Sequence, residues 1–341
     1  METILTFEKA IEIANSKGKA PHLLTGNGFS IACRPNIFQY GKLFEQADFT
    51  RLSPSAQLVF GVLGTTDFER VIRALRDAAK LVRLYSKDVD IQTRMESDAD
   101  GLKELLVNTI AKSHPERPSD IQDEEYAACQ KFLSNFDKIY TLNYDLLLYW
   151  TLMHTEEGTA PSSDDGFRKS KEDFDAGYVV WEPENTFDQN IHYLHGALHI
   201  FDAGSEIQKY TWINTGVRLI EQIRNALSRE FYPLFVAEGT SKEKIQRIKH
   251  SDFLSKAYRS FQQIGGSIFI YGHSLAENDE HFLRVIEKGK IGKVFIGIFG
   301  DPDSDSAKAV IKRGKRLESN RKKGDLTVYF YDSASAKVWG N

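Results

Sequence analysis

Residues 138–152 read Lys138-Ile139-Tyr140-Thr141-Leu142-Asn143-Tyr144-Asp145, followed by an apolar run from Leu146 to Leu152. The first five residues are short, apolar and rich in β-formers, the next three form turns, and the run after them reads as a helix. Strand, polar turn, helix is therefore the local unit. The same unit precedes it at Pro21–Thr25, which runs into Gly26-Asn27-Gly28-Phe29-Ser30, a turn where glycine permits close backbone approach. Downstream, strands are expected at 191–194, 267–271, 293–299 and 326–331, with helices at about 215–231, 241–263, 278–288 and 304–317. Strands alternating with helices predict an α/β fold with a mainly parallel sheet.

Between the first two units the pattern changes. Phe68, Val71, Ile72, Leu75, Ala78, Val82 and Tyr85 keep a period near 3.6, and shorter helical patterns follow at about 100–112 and 121–136. The chain thus divides into an α/β domain over 1–44 and 137–341 and a helical insertion over 45–136. Arg70, Arg73, Arg76, Lys80 and Arg83 make the first insertion helix basic, which suits a solvated face or contact with an acidic partner. A short helix is expected at 5–17. The polar, turn-rich stretch from Glu156 to Gly177 predicts a long mobile loop.

Composition narrows the classes of function. The 341 residues carry 44 Lys and Arg against 48 Asp and Glu, so the net charge of -4 offers no general footprint for nucleic acid. Only Cys33 and Cys129 are present, far apart, which excludes a zinc ribbon or a disulfide framework and suits a reducing compartment. The N-terminus lacks an apolar signal region and no later run is long enough to span a membrane, so the expectation is a cytoplasmic protein.

In an open α/β sheet, ligands bind beyond the carboxyl ends of the strands, and four loops fall there. Gly26–Ser30 could bring backbone amides to a pyrophosphate, or could simply be a tight turn; Ile31 stands where the dinucleotide fingerprint wants a third glycine. Asn143 and Asp145 could reach one ligand together, the amide towards a ribose hydroxyl or water and the carboxylate towards a developing cation, or could form an Asx turn. His195 before Gly196 suits a proton acceptor, with a hydrogen-bonded structural histidine as the plainer reading. His192, His195 and His199 do not form a metal motif, because their spacing needs one helix and Gly196 breaks it. The fourth loop holds Gly272, Ser274 and Asp279, where a helix start capped by Asn278 is the alternative.

Taken together, Gly26-x-Gly28-x-Ser30, Thr141-x-Asn143-x-Asp145, His195-Gly196 and Gly272-x-Ser274 resemble the sirtuin-like NAD-consuming family, over residues of about 21–44 and 138–300. The resemblance implies a doubly wound, Rossmann-like sheet. It places the glycine loop, with Gly26, Gly28 and Ser30, at the pyrophosphate of NAD, Asn143 and Asp145 at the nicotinamide ribose, and His195 as general base. Asn27, Thr141, Gly272, Ser274 and Asp279 complete the expected cofactor-binding set. No cysteine follows Cys129, so the four-cysteine zinc module of the protein deacylases is missing and no metal is expected. In this the chain looks like the bacterial branch that hydrolyses NAD in anti-phage defence.

The function this implies is that of an NAD+ glycohydrolase releasing nicotinamide and ADP-ribose, restrained or triggered by a sensor or activator protein or by homo-oligomer assembly. Two alternatives stay open: a zinc-free ADP-ribosyl transferase or deacylase of the same fold, and a non-catalytic sensor or scaffold that binds NAD or ADP-ribose.

Overall fold

The computed structural model of the chain describes residues 2–340 except 16–17, 86–88, 155–161, 172, 174, 186–187, 212–215, 230 and 237–239. In chain order the described strands are β1 (Ile4–Leu5), β2 (His22–Thr25), β3 (Ile139–Thr141), β4 (Phe167–Lys169), β5 (Tyr178–Trp181), β6 (Ile191–Tyr193), β7 (Gly196–Asp202), β8 (Ile207–Tyr210), β9 (Pro233–Phe235), β10 (Gly265–Tyr271), β11 (Lys290–Ile298) and β12 (Thr327–Asp332). Seven of them form one sheet in the order β1-β12-β11-β10-β2-β3-β6, with every neighbouring pair parallel. From β2 the chain moves outward through β3 and β6, then returns to the other side of β2 and moves outward through β10, β11 and β12. That is the 3-2-1-4-5-6 order of a doubly wound, Rossmann-like α/β sheet, with β1 added beside β12.

The register explains the two-sided core. Leu23, Ile139 and Phe269 are aligned across β2, β3 and β10, and Phe269 stacks on Phe295 at 4.6 Å, which stacks on Tyr329 at 5.0 Å. On this face lie Phe7 of the helix Phe7–Asn15 and Phe132 of the helix Asp123–Leu133. Tyr140 points to the opposite face, where it meets Phe261 of the helix Asp252–Gln263. Strands buried on both faces read as continuous apolar runs, which is why Ile268-Phe269-Ile270 was legible as a strand.

Among the described residues, every regular element between β2 and β3 is helical, including Phe68–Tyr85 and Val89–Ser113, and their apolar side chains continue the same core. The second of these helices begins eleven residues before the pattern at 100–112, because its first half is mostly polar and packs through Asp98, which accepts from the Ser53 hydroxyl at 2.6 Å. The basic set on the first helix is partly satisfied within the chain: Arg76 pairs with Asp100 and Lys80 with Glu243, each at 2.7 Å. The helical stretch 241–263 is two helices. Ser251 ends Ser241–His250 and caps Asp252–Gln263, its hydroxyl accepting from the Leu254 amide.

A second, antiparallel sheet, β4-β5-β8-β7-β9, was not expected. Its first strand lies inside the stretch 156–177 read as a mobile loop, where Phe167–Lys169 pairs with β5; the parts of that loop at 156–161, 172 and 174 fall outside the described residues. No helix among the described residues is long and apolar enough to cross a membrane.

Candidate functional site

The loops after β2, β3, β6 and β10 gather at the carboxyl edge of the parallel sheet. Strand order reverses between β2 and β10, and there the two glycine loops touch backbone to backbone. Gly26 and Gly28 donate their amides to the carbonyls of Tyr271 and Gly272, at 2.9 and 2.8 Å. A Cβ on Gly28 would lie 2.5 Å from Cα of Gly272, itself held at φ +66°. Glycine is required here for loop-to-loop packing, and these two amides are engaged with protein. Asn27 donates its side-chain amide to the Phe38 carbonyl at 3.1 Å, tying the loop to the end of the short helix Pro35–Phe38.

Beside this contact, Ser30, Asn143 and Asp145 form one buried network. Asn143 Nδ2 donates to Ser30 Oγ at 2.6 Å, and Ser30 in turn donates to Asp145 Oδ2. Asp145 Oδ1 accepts from the Leu147 amide at 2.9 Å, so the carboxylate also starts the helix Leu147–Met153. Thr141 Oγ1 accepts from the Asn143 amide at 3.0 Å and turns the chain off β3. Burial pushes the Asp145 carboxyl above its ordinary range, against the pull of Ser30 and Leu147. The buried Asn143 Oδ1 has no hydrogen-bond partner among the described residues.

His195 sits at the corner between the two sheets. Leu194 donates to the Thr141 carbonyl at 2.9 Å, and the His195 carbonyl accepts from the Val236 amide at 2.9 Å. Gly196, at φ +78°, then turns the chain into β7, and a Cβ there would strike the Leu234 carbonyl. His195 is 2% exposed, and its Nε2 is 3.6 Å from Asp279 Oδ1, beyond hydrogen-bond reach. Burial, reinforced by the nearby Lys244 ammonium, holds its pKa well below the ordinary histidine value, so the ring is neutral near pH 7.

Asp279 anchors the charges around it. Burial alone would raise its carboxyl, but Lys244 at 3.1 Å and His273 at 3.0 Å hold it well below the usual range. Lys244 is 1% exposed; burial works against its charge, and Glu69 at 3.0 Å with Asp279 keeps it protonated. Glu69 comes from the helix Phe68–Tyr85 and also accepts from Tyr144 OH at 3.3 Å and Asn278 Nδ2 at 3.1 Å. Burial lifts its carboxyl to about 7.

The structure therefore joins Ser30, Thr141, Asn143 and Asp145 in one network and brings His195 to Asp279. It does not bring Ser274 in: that residue is exposed, and its carbonyl accepts from Arg313 at 2.9 Å. His192 hydrogen-bonds Ser260 at 3.1 Å and stacks on Tyr140, away from His195. Sequence reasoning missed Glu69, Lys244, His273 and His281. The histidines flank Asp279 in sequence and could have been included, whereas Glu69 and Lys244 carry no local signal and are recognisable only once the helices are packed.

His195, Asp279 and His281 each present one metal-competent atom, all within 4.8 Å of one another. His281 also lines an open cleft of about 660 Å³, together with Ser241, Tyr258, Glu277 and Glu280. A family profile described as a domain of unknown function, DUF4917, matches residues 23–339. No curated protein matches the chain.

Proposed function

The chain belongs to the DUF4917 family, and from the chemistry of its strand-end loops we propose that it is an NAD+ glycohydrolase of the sirtuin-like kind. The observation that carries this reading is the Ser30–Asn143–Asp145 network on the ends of β2 and β3, with a neutral buried imidazole, His195, on the end of β6. The glycosidic bond breaks with its electron pair passing to the nicotinamide ring, which leaves as a neutral molecule, so no strong acid is needed while oxocarbenium character grows on the ribose. Asn143 Oδ1, which has no partner among the described residues, accepts a hydrogen bond from a ribose hydroxyl or from the attacking water. His195, already neutral, takes the water's proton as oxygen bonds to the anomeric carbon. Both oxygens of Asp145 are engaged by Ser30 and Leu147, so its part is to fix Ser30 and through it Asn143.

In this reading the protein depletes NAD as the effector of a bacterial anti-phage system, working with a sensor or activator protein or through its own assembly. The test is to incubate the purified chain with NAD+, alone and with the products of neighbouring genes, and to quantify nicotinamide and ADP-ribose. Their release in equal amounts without an acylated peptide is the expected result. Binding of NAD+ with no turnover under every condition favours the non-catalytic sensor instead.

A further inference from the structure

We propose that His195, Asp279 and His281 form a binding site for one divalent transition-metal ion. His195 stands at the corner between the sheets, Asp279 ends the loop after β10, and His281 lies in the first turn of the helix Glu280–Lys288. One ligand atom from each falls within 4.8 Å of the others, and the 3.6 Å between His195 Nε2 and Asp279 Oδ1 is close to the ~3.4 Å that separates two ligands bonded at 2.0–2.1 Å to a tetrahedral ion.

Two orphaned nitrogens supply the independent observation. Nε2 of His195 and Nε2 of His281 are buried and have no hydrogen-bond partner among the described residues, although buried polar atoms are normally paired. His281 Nδ1 meets Ser241 Oγ at 3.2 Å, the kind of outer contact that orients an imidazole and leaves its other nitrogen for a ligand. His273 at 3.0 Å holds Asp279 through Oδ2, which directs Oδ1 towards His195. Lys244 shares that oxygen at 3.1 Å, but it already touches Glu69 at 3.0 Å and can turn wholly to it when an ion arrives. Two carboxylates facing one ammonium leave room for added positive charge.

Two imidazoles and one carboxylate suit Zn2+, Co2+, Mn2+ or Fe2+ better than Ca2+ or Mg2+, which prefer all-oxygen sets. The cleft that His281 lines, with Glu277 and Glu280 on its wall, gives the ion a route from solvent. The site stands on geometry alone. Its consequence for turnover rests on the NAD reading: an ion on Nε2 takes the imidazole proposed as base and holds the enzyme off.

The experiment uses the full chain, stripped with chelator and titrated with Co2+. The expected result is one ion per chain with a visible d–d absorption band, displaced by Zn2+ and lost in His281→Gln, whose circular dichroism matches the parent. No band and no retained ion in the parent chain overturns the proposal, as does a folded His281→Gln with unchanged stoichiometry and band. Turnover of NAD+ is followed on the same samples. Metal binding with no turnover even in the stripped, metal-free chain upholds the site and sinks the base assignment, whereas turnover without metal binding does the reverse. With both present, Zn2+ should inhibit the parent and spare His281→Gln.

Discussion

Glu69 and Lys244 stand 175 residues apart in the chain and meet at 3.0 Å beneath the strand-end loops. Through them the helix Phe68–Tyr85 reaches the same charge cluster as Asp279 and His195, so the helical region is part of the wall of the site. An ammonium only 1% exposed that loses its carboxylates is an uncompensated buried charge.

Removing one partner of a buried pair costs ~3–5 kcal/mol. Lys244→Met leaves the buried Glu69 and Asp279 carboxylates facing each other without their ammonium and should lower the urea midpoint accordingly, whereas Glu69→Ala leaves Lys244 still paired with Asp279 at 3.1 Å and should cost less. Equal and small losses in both variants would show that the pair is dispensable.

Asn143→Ala and His195→Ala should each reduce nicotinamide release by ~100-fold or more, the usual scale for losing a positioned polar group or a general base, with circular dichroism unchanged. Chromatographic assay of nicotinamide decides this; parental turnover in either folded variant removes that residue from the chemistry.

Gly28→Ala places a methyl group 2.5 Å from Cα of Gly272, so the two glycine loops must separate. Overpacking of this kind costs ~1–3 kcal/mol. We expect a lower melting temperature together with lost turnover, whereas Gly18→Ala, where a Cβ meets nothing within 4 Å, should cost only the strain of its φ of +69°.

Acid should destabilise the fold in a defined window. Burial lowers His114 and His281 to about 4 and His192 to about 3, and holds His195 and His199 well below 6.5. Below pH 6.5 the unfolded chain takes up protons that these folded imidazoles refuse, so stability is lost as pH falls from 6.5 towards 4. Each such imidazole contributes a slope of ~1.4 kcal/mol per pH unit. Glu69 opposes this, since burial raises its folded carboxyl from 4.5 to about 7 and the folded state then holds the extra proton between those values. Asp67 and Asp145, also raised by burial, oppose it nearer their ordinary value of 3.8. Urea midpoints across the window should therefore fall with acid, and more steeply in Glu69→Gln; a flat profile would contradict the buried neutral histidines.

The parallel sheet was legible because Leu23-Leu24, Ile139-Tyr140 and Ile268-Phe269-Ile270 are apolar runs closed by turn residues, and that pattern survives without any knowledge of partners. The antiparallel sheet was not. Ile207-Gln208-Lys209-Tyr210 and Phe167-Arg168-Lys169 are three or four residues long and partly polar, too short to show a period of two, and they become strands only by pairing, the first with β7 across residues 203–206 and with β5, the second with β5. The site divides in the same way. Asn143, Asp145 and His195 lie in strand-end loops, and Ser30 in the first turn of the helix Gly28–Cys33 that the glycine turn opens, all beside motifs that announce themselves, whereas Glu69 and Lys244 are ordinary surface-type residues on amphipathic helices until tertiary packing buries them.

His195 belongs to neither sheet and is mounted between both, through the amide of its neighbour Leu194 on the Thr141 carbonyl on one side and through its own carbonyl on the Val236 amide, next after β9, on the other. Its imidazole is thus surveyed from two fixed points, and small relative sliding of the sheets moves it as a lever moves at its fulcrum. Sites of this kind tolerate errors of only about 0.5 Å. Changes at Leu234, whose carbonyl lies against Gly196, or at Phe235, whose ring meets Tyr144 of the loop after β3 at 5.9 Å, are then able to detune the ring by shifting its second mount, so a screen for silent loss of turnover has its first targets in the antiparallel sheet.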